Sequence, residues 1–177
     1  MAKMLKAIPT TYRGIEFRSK LEAKYAQAFD RLGIVWEYEG HGFAFDDGTW
    51  YCPDFYMPEI DTYFEVKGYI NKDSMHKIEM LAYDERKRVV IGHADGSITF
   101  IDNSPEGCSN GWAKSVAIAR CKECSRVYFM DYEGLYMCPG CKAHDGTHHY
   151  DLIACNFDPW NDKKPNMFEA AGWGDVR

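Results

Sequence analysis

Tyr51-Cys52-Pro53-Asp54-Phe55 and, beyond a Met57-Pro58 turn region, Tyr63-Phe64-Glu65-Val66-Lys67-Gly68 decide how this 177-residue chain folds. Two short β-prone runs flank Pro58, Glu59 and Asp61, which reads as a pair of adjacent strands with a tight connection. Side chains alternate along a strand, so Tyr63, Glu65 and Lys67 share one face while Phe64 and Val66 take the other. With Asp54 ending the preceding strand nearby, two carboxylates and a lysine converge on one point, an arrangement suited to a metal ion and a phosphate. Pro53 has no N–H for the ladder and predicts an edge, a bulge or a frayed end; a bulge would re-aim Asp54. The plainer reading makes Asp54 a turn residue and Glu65 and Lys67 a solvent-facing stripe on an edge strand.

Upstream, Ser19–Leu32 reads as a helix. Leu21, Tyr25, Ala28, Phe29 and Leu32 form an apolar stripe, and Gly33 supplies the stop. Glu22 admits two roles. Ser19-x-x-Glu22 is a capping box, yet Glu22 also sits at the edge of the stripe, where it reaches a site beside the sheet. Ile34–Glu39 and Phe43–Phe45 read as strands, and Asp46-Asp47-Gly48 as a hairpin turn into Thr49–Tyr56. Downstream, Ser74–Arg86 reads as a second helix and Val89–Gly92 as a buried strand. A strand, helix, strand unit of this length is a crossover, which sets the Val89 strand parallel to the Glu65 strand. Asp95-Gly96 then turns into Ser97–Ile101.

A Pro-Asp pair, ten residues and then Glu-x-Lys, behind Arg18-Ser19-Lys20-Leu21-Glu22 and a Gly33-Ile34 strand ending in Glu37-Tyr38-Glu39, resembles the PD-(D/E)xK nuclease superfamily. Within it the chain is similar to phage-type members, including Holliday-junction resolvases of the endonuclease I type. The resemblance covers roughly Arg13 to Gly92. It implies an α/β (α+β) fold, a restriction-endonuclease-like core with a central mixed sheet flanked by helices. It also implies a phage-encoded DNA endonuclease at work in the cytoplasm of a bacterial host. Asp54, Glu65 and the Val66 carbonyl would hold Mg²⁺ or Mn²⁺, with Glu22 joining directly or through water, and Lys67 would serve the attacking water or the phosphate. The catalytic set is then Glu22, Asp54, Glu65 and Lys67. Two alternatives stand beside it: a dimeric, structure-selective resolvase, and a non-cleaving DNA- or protein-binding module on the same fold.

The net charge of −6 argues against a generic nucleic-acid coat, but residues 1–20 carry five basic side chains against Glu16 alone. That arm, with Arg13, Arg18 and Lys20, either tracks a phosphate backbone or is a solvated tail. Gly68 would let a nucleic-acid strand approach the backbone. No apolar run is long enough for a membrane span and the start lacks the apolar region of a signal peptide, which predicts an intracellular protein with reduced thiols.

Residues 1–102 read as the core and 103–111 as a linker rich in Asn, Ser, Gly and Pro, followed by a unit over 112–155 and an aromatic tail over 156–177. Cys121-x2-Cys124 and Cys138-x2-Cys141 place four thiolates in a tetrahedron, the closed geometry of structural Zn²⁺ in a ribbon. Such a ribbon is near neutral; it binds DNA with one face, contacts a partner protein or braces the core. Cys52, Cys108 and Cys155 read as small buried residues and His144, His148 and His149 as surface residues. The tail, with Trp160, Phe168 and Trp173, either packs back on the ribbon or docks a protein partner.

Overall fold

A six-stranded mixed sheet carries the fold, and its pairing follows from where the chain can and cannot donate hydrogen bonds. The computed structural model describes residues 7–104, 111–113, 115–131, 138, 140–143, 150–155 and 165–173. Cys108, His144, His148, His149, Trp160, Lys3 and Lys6 lie outside the described residues.

The chain opens with β1 (Thr10–Tyr12) and β2 (Ile15–Phe17), an antiparallel hairpin. Arg13 and Gly14 form its two-residue turn with φ of 51° and 79°, the left-handed pair a tight hairpin needs. This hairpin occupies much of the stretch whose charge suggested an extended arm. Helix α1 (Lys20–Leu32) starts at Ser19, whose side chain accepts the Glu22 N–H, and stops at Gly33 with φ 73°. Its buried face includes Ala23, Tyr25, Ala26, Ala28, Phe29 and Leu32.

Then come β3 (Glu37–Tyr38), β4 (Phe43–Ala44), β5 (Trp50–Tyr51), β6 (Phe55–Met57) and β7 (Thr62–Lys67). The long strand expected over Thr49–Tyr56 is broken at Pro53 into β5, which pairs with β4, and β6, which pairs with β3 and β7. Helix α2 (Lys72–Tyr83) leads to β8 (Arg88–His93), and β7 and β8 are parallel along their six-residue length. Helix α2 begins earlier than Ser74 because Asn71 and Ser74 cap each other's backbone N–H. β9 (Ile98–Asp102) and β10 (Gly111–Trp112) complete the order β10-β9-β8-β7-β6-β3. Gly111, at the end of the stretch whose composition suggested a linker, is thus paired with Asp102 in the sheet.

A second sheet, β11 (Val116–Cys121), β12 (Val127–Asp131) and β13 (Tyr150–Cys155), is antiparallel with β11 in the centre. A short helix α3 (Met167–Ala170) closes the described chain. The architecture is α+β, with a mixed sheet and few helices.

Each face of the main sheet has its own apolar cluster. Phe55, Phe64, Val90 and Phe100 face α1, α3 and the second sheet, in one continuous cluster that includes Ile118, Phe129 and Phe168. Tyr63, Val89, Ile91 and Ile101 face α2 and the β4–β5 hairpin, through Ile78, Leu81, Phe45 and Tyr51. β7 is therefore covered on both sides and Glu65 is only 3% exposed. A solvent-facing polar stripe on an edge strand is ruled out. Phe168 and Trp173 of the tail pack against Tyr25 and, beneath Lys24 and Arg31, on α1.

No helix of the described residues is long and apolar enough to cross a membrane.

Candidate active site and four-cysteine cluster

The antiparallel ladder between β6 and β7 runs Met57↔Thr62, Tyr56↔Tyr63, Phe55↔Phe64 and then stops. The next cross-strand pair in this register is Asp54 opposite Glu65, both on the α2 face because Phe55 and Phe64 point to the other. Pro53, lacking an N–H, marks where the ladder gives out. Side chains take over the abandoned backbone groups. The Val66 N–H donates to Asp54 Oδ2 at 2.7 Å, and the Asp54 N–H donates to Glu65 Oε2 at 3.2 Å. Two carboxylates are thereby held at the end of the buried strands, with Asp54 3% exposed.

Cations frame the pair. Lys67 Nζ bonds Glu65 Oε1. An Arg18 Nη2–H donates to Asp54 Oδ1 at 2.6 Å, while its Nε contacts Glu39 Oε1 at 2.8 Å. The Arg18 side chain is 60% exposed, so a ligand can displace it at little packing cost. Burial, and after it the neighbouring Glu65 carboxylate, push the Asp54 carboxyl up to about 8, against the pull of the Val66 N–H and Lys67. Two buried carboxylates side by side favour whatever positive charge arrives between them.

Glu22 faces the same cleft, but its oxygens are already engaged. Oε1 accepts from Ser19 Oγ at 2.7 Å; Oε2 accepts from Tyr38 Oη at 2.6 Å and from the Arg18 N–H at 3.2 Å. The side chain returns to the helix start as a cap does, yet to the Arg18 amide rather than that of Ser19. Glu22 thus ties down the start of α1 and also lines the cleft. Burial and the Glu22 hydrogen bond raise the Tyr38 pKa, which keeps it a neutral donor.

The cleft holds about 520 Å³ and is lined on its acidic floor by Asp54, Glu65 and Glu22. Arg18, Lys67 and Lys77 supply its positive charge, and Trp50 and Tyr51 form part of its wall. It opens beyond the C-terminal end of β7, where ligands bind in sheets containing parallel strands. Of the cations named for DNA contact, Arg18 alone among the described residues lines it. Arg13 is paired with Asp30 at 2.7 Å, and Lys20 and Gly68 are exposed and not among the residues that line it. A Cβ on Gly68 meets nothing within 4 Å, so its value would lie in what approaches from outside.

Sequence reasoning missed Tyr38, Tyr51 and Lys77, and gave Cys52 as buried; it is half-buried and lines the cleft. Tyr51 Oη is buried beside the Glu65 carboxylate. Burial, then the Glu65 carboxylate, raise its pKa well above the ordinary value. Asp54 and Glu65 provide the hard oxygens a divalent cation takes.

At the far side of the core, the four cysteines come together as their spacing predicts. Cys121, Cys124, Cys138 and Cys141 sulfurs lie within 4.8 Å of one another, the one cluster of three or more metal-ligating side chains among the described residues. Cys121–Cys141 and Cys124–Cys138 are each 3.7 Å apart. A zinc tetrahedron with Zn–S near 2.3 Å has edges of about 3.8 Å. The cluster fits a zinc ion. Both knuckles turn alike, with the Ser125 N–H on the Cys121 carbonyl and the Lys142 N–H on the Cys138 carbonyl. Gly140 is required: a Cβ there would stand 2.2 Å from the hydroxyl of buried Tyr128.

Family models of known proteins give no match to this chain, and neither do the curated proteins.

Proposed function

We propose that this protein is a Mg²⁺-dependent DNA endonuclease of the PD-(D/E)xK kind, with a restriction-endonuclease-like core and a structural zinc site behind it. The observation that carries the reading is the pairing of Asp54 with Glu65. Residues eleven positions apart meet across the strands where the ladder ends, with Lys67 on the same face and an open cleft beyond.

Asp54, Glu65 and the Val66 carbonyl would hold the ion, and Glu22 would reach it through water. Bound there, Mg²⁺ would lower the pKa of a water and stabilise charge on the non-bridging oxygens. The protein's own groups do the rest. Lys67 brings an ammonium to the point where the attacking water and the phosphate meet, where it orients that water and offsets negative charge on the phosphate. Arg18, freed from Asp54, supplies a guanidinium to a phosphate oxygen. The Tyr51 hydroxyl, dry and neutral, steadies the Glu65 side of the site.

The test is a cleavage assay on linear duplex, single-stranded and four-way-junction DNA with Mg²⁺ or Mn²⁺, with Glu65→Ala in parallel. Cleavage by the wild type and its loss in the variant are expected. Equal cleavage by Glu65→Ala, or none by the wild type on any substrate, would remove the proposal.

A further inference from the structure

The β4–β5 hairpin leans over the cleft and presents alternate faces to it. Tyr51 points inward and is buried in the α2-side cluster, which anchors the hairpin. Trp50, the residue before it, points to the other face of the hairpin, is 63% exposed and is among the residues that line the cleft. Tryptophan is usually well buried, and an aromatic left exposed on the rim of a polar, cation-lined cleft is a surface for something flat. The indole is also braced. A Cβ at Gly42 would stand 2.9 Å from Trp50 Cζ2 and 3.2 Å from Nε1, so the ring rests against backbone where no side chain intervenes. Gly42 makes the seat on which the ring rests.

From this we infer that Trp50 is a base-stacking platform, and that the cleft takes DNA with unpaired nucleotides next to the phosphate it engages. The inference rests on the nuclease reading and names its substrate class. Lys67, Lys77 and Arg18 supply charge for the phosphates, and the indole supplies a face for a base. In an intact duplex each base is already stacked on both sides and offers no face to Trp50. A single strand, a flap or a branch point does.

The experiment uses the full chain with zinc retained and Ca²⁺ in place of Mg²⁺. It measures anisotropy of labelled oligo(dT) and of a duplex of equal length at one salt concentration, since phosphate contacts alone make affinity salt-dependent. Stacking on one aromatic changes affinity by about 5- to 100-fold. Trp50→Ala is expected to weaken oligo(dT) binding about tenfold or more and duplex binding less than about twofold, and Trp50→Phe to regain most of the loss. An unchanged oligo(dT) affinity in Trp50→Ala, or an equal loss on both probes, overturns the inference while leaving the nuclease reading in place. Failure of the wild type to bind either probe overturns both.

Discussion

Replacing Asp54 by asparagine should make the Mg²⁺-free protein more stable and leave it unable to use the ion. Asp54 is buried beside Glu65, and those two facts raise its pKa to about 8, from about 3.9 in an unfolded chain. Between those values the folded protein binds a proton that the unfolded chain does not. Stability is therefore full below about pH 4 and falls as pH rises towards 8. At 1.36 kcal/mol per pH unit the loss would approach ~6 kcal/mol. Local relaxation and water penetration around the buried pair reduce this to on the order of 3 kcal/mol at pH 9 and about half that at pH 6. Asparagine keeps an acceptor for the Val66 N–H without the charge, so it escapes this penalty. Urea unfolding at pH 6 and pH 9, with zinc retained and Mg²⁺ omitted, measures the effect. For a slope of about 2 kcal/mol/M the variant's midpoint should lie ~1.5 M above wild type at pH 9 and closer to it at pH 6. Added Mg²⁺ should then raise the wild-type midpoint and not the variant's. A variant less stable than wild type at pH 9, or a wild type indifferent to Mg²⁺, would refute the reasoning.

Cys121→Ser should lose zinc and unfold more readily, which metal analysis and thermal melting will read; a normal zinc content contradicts the four-cysteine assignment. Gly140→Ala should do the same through the Tyr128 hydroxyl rather than through a ligand, with zinc affinity as the readout. Gly92→Ala places a Cβ 2.5 Å from the Phe64 and Tyr25 rings, and should cost roughly 1–3 kcal/mol in urea unfolding; wild-type stability would mean the packing there is different. Asp102→Ala strands Arg88, its partner across β8 and β9 with both side chains buried, and should cost about 3–5 kcal/mol.

Local chemistry was legible wherever one residue decides a conformation. Ser19 and Gly33 bound α1 as their cap preferences predict, Pro53 interrupts its strand, and the crossover through α2 makes β7 and β8 parallel. The four-cysteine cluster follows from spacing alone because two short knuckles have few ways to close on one ion. The β1–β2 hairpin was not legible. Its turn uses arginine at positive φ, where asparagine or aspartate would have signalled it. Nor were β10 and β13, whose places depend on pairing with distant strands rather than on their own two or six residues. At the site, Asp54, Glu65 and Lys67 could be named from spacing on adjacent strands. Tyr38, Tyr51, Lys77 and the seat for Trp50 at Gly42 depend on how separate elements lean together, and no period in the sequence records that.

Phe64 touches α1 through Tyr25 and Phe29 and the second sheet through Phe129, while the residue after it is Glu65. Among the described residues the apolar cluster is continuous from α1 to β11–β13. Cutting after 104 would bare Phe64, Phe100 and much of the α1 face to water, so the first half should behave as an aggregating fragment rather than a small independent enzyme. Heat should melt the protein in one calorimetric transition, and whatever strips the zinc should be felt one peptide bond away from the acidic pair.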